Sequence, residues 1–329
     1  MKHLLKICSL ALFMSGTVRG ASAPADQDVA KSKTYSKSYA LSNSDKVLLD
    51  NSFGEMKINT WSKNEVKVDV SITVKAGTEE NAQRILDIVN IEDGKNNGEV
   101  FFKTHLNNKK DDWKENNKEK NQHTSFNINY TVYLPTATTL EATNQFGAMV
   151  IGDYEGPVTL NSKFGSLTAG KLGNAKKVKV EFGKATIESM HNGDLSIHFS
   201  RAQVNQLSGD IDADFQQSNG VKINLENQLT KLDIKNNFSK VYLVADKNLS
   251  ASFDIKTSFG SFNNKTSFNI PKLEDSEKKY FNKNQSYSGK AGNGQIPVNI
   301  KSNFGSITLD YDIAFDVNEK PERHSKSRA

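Results

Sequence analysis

Cysteine is almost missing from this 329-residue chain: Cys8 is the only one, and it lies near the start. That start carries Lys2, His3 and Lys6, then a short apolar run over 7–14, then small residues over 20–25. The order basic, apolar, small is that of a secretory signal peptide, predicted over 1–23. Pro24 bars the bond before it, so cleavage falls after Gly20 or after Ala25. The competing reading of the same segment is a buried N-terminal helix. Cys8 follows Ile7, which is not small, and so is not a lipoprotein cysteine. Once the segment is removed no thiol remains, which excludes disulfides and cysteine-based metal sites.

Long apolar runs are missing too. The run over 7–14 is shorter than the roughly 20 residues of a membrane helix, and no later segment is apolar enough to cross. Net charge is small: loss of Lys2, Lys6 and Arg19 takes +5 to +2, which gives no ground for a nucleic-acid partner. Catalytic signatures are absent: there is no HExxH, no GxSxG elbow, no phosphate-cradling loop and no dinucleotide fingerprint. The remaining histidines (His105, His123, His191, His198 and His324) show no paired spacing. Hydrophobic content of 36% is low for a compact globule and suits a thin, surface-rich body.

What the chain does have is a phenylalanine that recurs, often before glycine, at Phe53, Phe146, Phe164, Phe182, Phe199, Phe215, Phe238, Phe259 and Phe304. From Phe146 to Phe215 the steps are 18, 18, 17 and 16 residues. Four residues earlier stand Leu49, Ala142, Leu160, Val178, Leu195, Ile211, Ile234, Ile255 and Ile300, all apolar. Apolar residues return three, five and eight positions after the Phe, with the Phe215 copy slipping and recovering at Val221, Ile223 and Leu225. Alternation of period two is that of short strands with one buried face. One 18-residue unit cannot bury its apolar face, whereas stacked units bury a continuous column. The expected fold is therefore all-β: a single-stranded β-helix or solenoid of 17–18-residue coils, right-handed, with the nine Phe rings as its inward core. An antiparallel sandwich or barrel is the competing fold.

The repeat is interrupted. A linker is expected over 24–40, and an N-terminal β region over 41–134. Within it Val66, Val68, Val70, Ile72 and Val74 alternate as a strand, and 78–90 reads as one amphipathic helix. That helix caps the open end of the stack, or binds a partner. Its neighbour 107–122 is nearly all Asn, Lys, Asp and Glu and is expected to be disordered. Solenoid repeats are expected over 135–315, with a polar excursion near 271–294, and a polar tail over 316–329.

With these residues in view, the chain resembles a bacterial family of exported β-strand-repeat proteins labelled putative adhesins, a domain of unknown function. The resemblance rests on the opening Val47–Met56 stretch with Lys57, Ile58 and Trp61, on the short helix, and on Tyr130-Thr131-Val132-Tyr133-Leu134-Pro135 feeding the repeats. It implies a right-handed β-helical coil at the cell envelope and supplies no catalytic residue. The long Asn/Lys-rich loop and the preference for Phe are departures from it.

The most suggestive polar cluster is acidic. Asp194, Asp210, Asp233 and Asp254 each stand in a similar place in their coil, with Asp212 and Asp214 alongside. Such a ladder is a Ca²⁺ candidate or the carboxylate pair of a glycosidase. Lys235, Lys256 and Lys301 in the neighbouring column make it a charge-balanced solvent face instead. The Phe rings, read as inward, are core rather than stacking platforms for sugars or bases; Tyr242 is the better exposed aromatic. Asn51, Asn144 and Asn236, two residues before their Phe, read as inward hydrogen-bonding ladders at a corner. The expectation is an exported, non-enzymatic protein, periplasmic or at the cell surface. It takes no cofactor and presents a repeated face to an unknown envelope protein or glycan; the alternatives are a β-helical carbohydrate-active enzyme and a Ca²⁺-stabilised scaffold.

Overall fold

The structure, a computed structural model, describes residues 28–107, 124–274 and 283–319. The segment 1–23 and nearly all of 107–122 lie outside the described residues, as does the tail beyond 319. The described chain opens with β1 (Val29–Ala40), β2 (Lys46–Ser52), β3 (Met56–Trp61) and β4 (Glu65–Ala76). Helix α1 (Glu79–Ile88) follows, then β5 (Val89–Asn96), β6 (Glu99–Leu106) and β7 (Ser125–Pro135). Next come β8 (Thr139–Gln145), β9 (Ala148–Ile151), β10 (Tyr154–Lys163), β11 (Ser166–Glu181) and β12 (Lys184–His198). The strands β13 (Arg201–Val204), β14 (Leu207–Gln216), β15 (Val221–Leu225), β16 (Leu229–Asn237) and β17 (Lys240–Ala245) continue the pattern. The last are β18 (Ala251–Ser258), β19 (Ser261–Asn264), β20 (Asn284–Ala291), β21 (Ile296–Asn303) and β22 (Ser306–Asp310).

The chain is all-β, with one helix among the described residues and all strands in one open sheet. None of its described helices is long and apolar enough to cross a membrane. Two parallel stacks run side by side. One is β6-β2-β8-β10-β11-β12-β14-β16-β21-β18. The other is β7-β3-β9-β11-β12-β13-β15-β17-β22-β19. Copies lie in register, so Leu160, Val178, Leu195, Ala213, Ile234, Ile300 and Ile255 form one buried column. Tyr154, Leu172, Met190 and Leu207 form a second buried column. Polar residues between them face water, as period two requires.

Antiparallel strands close both ends. At one, β4 pairs with β7 and β1 pairs with β4, while β5 pairs with β6; at the other, β20 pairs with β18. Thr78 caps α1 by accepting from the Asn81 N–H, as expected for a helix starting there. Ala82, Ile85 and Leu86 bury its apolar face in the common core. The helix has no basic residue in its last turn; Lys33 of β1 supplies the charge by donating to the Leu86 and Val89 carbonyls, both at 2.7 Å.

Two expectations need correction, and a third is refined. The stretch 24–40 is not all linker, since β1 occupies it from Val29 and pairs along its whole length with the alternating strand β4. The polar excursion near 271–294 contains β20. The coils also do not stack in chain order: the coil bearing Phe304 lies between those bearing Phe238 and Phe259, because β21 pairs with both β16 and β18.

Candidate functional site

Between the two stacks the chain turns a corner, and at that corner the backbone is left-handed. Phe53, Phe146, Phe164, Phe182, Phe199, Phe238, Phe259 and Phe304 all have φ between 51° and 67°. A side chain there costs roughly 1–2 kcal/mol. The following glycine explains the tightness. A Cβ on Gly147 or Gly165 would lie 1.9 Å from the carbonyl oxygen of the corner glycine one coil before it, so the backbones touch.

The turn throws the rings outward, which overturns the expectation that they are core. Phe146, Phe164, Phe182, Phe199, Phe238, Phe259 and Phe304 are 42–57% exposed. They still stack: ring centroids are 4.7–5.1 Å apart and nearly parallel from Phe53 through Phe146, Phe164 and Phe182 to Phe199. A second block runs Phe238, Phe304, Phe259 at 4.9–5.0 Å. Phe126 closes the far end against Phe53 at 4.8 Å. Inside each block the ring faces are covered by the next ring, so there the ladder offers water its edges.

Phe215 does not belong to this ladder. It is fully buried and pairs with Ile197, two residues short of the corner. The corner of its coil is Gln217, at φ 47°, whose N–H donates to the Asn237 carbonyl as its neighbours' do one coil along. Gln217 is exposed, and it splits the ladder into its two blocks.

Below the corner the polar ladder is as expected. Asn51 donates to the Ile128 carbonyl at 2.9 Å and to Asn144 Oδ1 at 3.0 Å, and Asn144 donates to the Gly54 and Ala148 carbonyls. Asn236 reaches the Ser239 carbonyl and Ser302 Oγ. Ser200, Ser218 and Ser239 replace glycine in three coils, and each hydroxyl accepts from the N–H of the coil before.

The acidic column is also re-registered. Asp194 pairs with Asp212, Asp212 with Asp233, and Asn299 stands between Asp233 and Asp254. Asp210 is outside it, opposite Lys231 and hydrogen-bonded to Thr230. Lys231 Nζ lies 2.6 Å from Asp233 and donates to it, holding that carboxyl below its usual range, helped by Asn299 at 2.7 Å. Asp233 in turn raises the Lys231 pKa, with Asp212 and Asp210 contributing. Among the described residues no three acidic, histidine or cysteine side chains converge as a metal would need. Asp214 lies in the column of Lys235, Lys301 and Lys256, and its Oδ2 lies 3.0 Å from His198 Nε2, accepting from it in the tautomer that carries the proton there.

The start of the tail is bound rather than free. Phe315 packs on Tyr242 and under the Arg201 guanidinium, whose carbon is 4.2 Å from the ring centroid. Tyr242 is thereby covered, not an open aromatic contact. Arg201 also donates to the Asp316 carbonyl and to Glu319, and Lys184 donates to Asn318. Between this strap and the aromatic ladder lies a cleft of about 430 Å³, bordered by Phe199, Gln217, Asn219 and Val317.

No protein-family model matches the chain, and no curated protein does. Among solved structures it is similar to a putative cell adhesion protein of Clostridium sporogenes, at 14% identity over 85% of this chain and 99% of that one, TM-score 0.23. It is similar to a putative adhesin of Bacteroides fragilis at 11% identity over 84% and 97%, TM-score 0.40. A putative lipid binding protein of Parabacteroides distasonis is similar at 11% identity over 84% and 96%, TM-score 0.30. Scores this low identify neither a fold nor a function.

Proposed function

We propose that the chain is an exported, non-catalytic β-solenoid, right-handed, whose phenylalanine ridge is a contact surface for adhesion or envelope scaffolding. The in-register parallel stacks, with copies 17–21 residues apart over most of their length, support the solenoid. The basic-apolar-small start and the lack of cysteine beyond it support export. On this reading residues 1–23 are the signal peptide, 41–134 the capped N-terminal β region and 135–315 the repeats.

The observation that carries the reading is the ridge itself. Seven half-exposed rings present on the order of 700 Å² of apolar surface, taking roughly 200 Å² for a whole side chain. Exposed Gln217 divides it into two blocks of roughly 350 Å² each, matching the ~300–600 Å² of the largest patch on a typical monomer, and only the whole ridge reaches the total. That total approaches the ~800 Å² each partner contributes to a stable interface. Face-to-face stacking leaves only edges exposed along the ridge, which suits apolar contact with an envelope protein better than the face-on stacking a glycan uses.

The test is co-sedimentation of the purified protein with isolated cell-envelope fragments, comparing wild type with Phe164→Asn/Phe182→Asn. Asparagine tolerates the left-handed corner, so the variant keeps the turn and loses the apolar edges. Binding should fall at least tenfold while far-UV circular dichroism is retained. Equal sedimentation of a folded variant would remove the ridge from the contact.

A further inference from the structure

We infer that the break in the aromatic ladder at Gln217 is a binding site for a single pyranose ring, the sugar unit of an envelope glycan. Phe199 and Phe238 occupy the corners of the coils on either side of Gln217. Their rings stand roughly 10 Å apart, two steps of the ~4.9 Å ladder. Within the ladder the faces of these two rings toward Gln217, and the outer face of terminal Phe259, are the ones no neighbouring ring covers. The rung between them is vacant of a ring but holds the Gln217 side chain, and on its Phe199 side it opens into the cleft of about 430 Å³.

The chemistry around the vacancy selects the ligand. A pyranose has an apolar C–H face and a rim of hydroxyls. The electron-rich face of Phe199 receives the polarised C–H groups. Gln217 and Asn219 are exposed and border the cleft, and neither side-chain amide bonds to another protein group, so four N–H donors and two carbonyl oxygens are available to a hydroxyl rim. Lys184 and Arg201 border the cleft but already hold the tail through Asn318, Asp316 and Glu319, so they brace its wall rather than attract an anion. The cleft sets one aromatic ring, Phe199, and one aliphatic side chain, Val317, among polar side chains, a mixed lining that matches a sugar's apolar face and hydroxyl rim. A flat aromatic ring would fill the same slot but leave both amides unanswered, which is why a sugar fits better.

This site stands apart from the contact role of the ridge edges, and its experiment separates the two. Methyl glycosides of glucose, mannose and N-acetylglucosamine are titrated into ¹⁵N-labelled protein, with indole as the aromatic comparison. At least one glycoside should move the amides of Ser200, Gln217 and Asn219 in a saturable way and more tightly than indole. Gln217→Phe, which fills the vacancy, should abolish those shifts, and Asn219→Ala should weaken binding several-fold. Phe164→Asn/Phe182→Asn should leave them in place, whatever it does to envelope binding. Absence of saturable shifts with all three glycosides, persistence of the shifts in Gln217→Phe, or tighter binding of indole would each overturn the proposal.

Discussion

Gln217→Phe should stabilise the protein by about 2–4 kcal/mol, an unusual gain for a substitution at an exposed position. The corner there is already left-handed at φ 47°, so the backbone cost is carried by glutamine and does not grow. A ring in that column would meet Phe199 on one side and Phe238 on the other. Each offset-stacked pair is worth about 0.5–1.5 kcal/mol beyond burial. If the ring is half covered like its neighbours, about 100 Å² leaves water, worth ~2.5 kcal/mol at ~25 cal/mol per Å² and less once a compact unfolded state is allowed for. Glutamine forfeits no side-chain hydrogen bond in exchange. Urea unfolding followed by circular dichroism is the assay, with the slope unchanged and the midpoint raised. In a thermal scan the gain corresponds to a rise of about 5 °C or more. A midpoint equal to or below that of wild type would show that the two blocks are not one ladder with a missing rung.

The other expectations probe the corner and its supports. Gly165→Ala should cost more than ~4 kcal/mol or prevent folding, because its Cβ would sit 1.9 Å from the Gly147 carbonyl oxygen and only separation of two coils relieves it; soluble yield and melting check this. Asn144→Ala should cost about 2–4 kcal/mol, since it strands the buried Gly54 carbonyl, the half-buried Ala148 carbonyl and one N–H of the Asn51 amide; the same urea series measures it. Asp45 accepts from the Lys95 ammonium at 2.7 Å and from the Ser42 N–H at 2.8 Å, which holds its pKa down to about 2. A depressed folded-state pKa gives stability that is present above the unfolded value near ~4 and lost as pH falls toward 2. Melting temperature between pH 5 and pH 2 should therefore drop more steeply in wild type than in Asp45→Asn.

The strand columns were legible because period two is written plainly in them: Leu160, Val178, Leu195, Ile234, Ile255 and Ile300 were read as inward and are buried in one column. The corner was not, because the same alternation carried one step too far assigns the Phe to the core. A left-handed residue breaks the phase, and phenylalanine is not a residue whose identity announces φ > 0. The shortening of the step to 17 and then 16 residues was the available warning at Phe215. Counting to Gln217 restores 18, and with it Asp212 rather than Asp210 joins the acidic column. The exchanged order of the last coils left no trace in the sequence. Lys256, Phe259 and Gly260 repeat Lys301, Phe304 and Gly305, so either coil satisfies its neighbours equally.

Phenylalanine at these corners is hard to explain by folding alone. The turn needs φ > 0, which glycine supplies freely and asparagine cheaply. Eight of the nine ladder corners instead hold an aromatic residue that incurs roughly 1–2 kcal/mol of backbone cost. Stacking returns a similar amount per ring, and burial of its covered half adds up to ~2.5 kcal/mol, so the covered halves stabilise the stack. What remains is an apolar ridge left in water, which no internal requirement of the stack calls for. The one corner without a ring keeps the same backbone and hydrogen bond, so the ring is dispensable to the turn itself. Stability accounts for the covered half of each ring; the exposed half, costly in solubility and repeated along one edge, is the part the proposed contact would use.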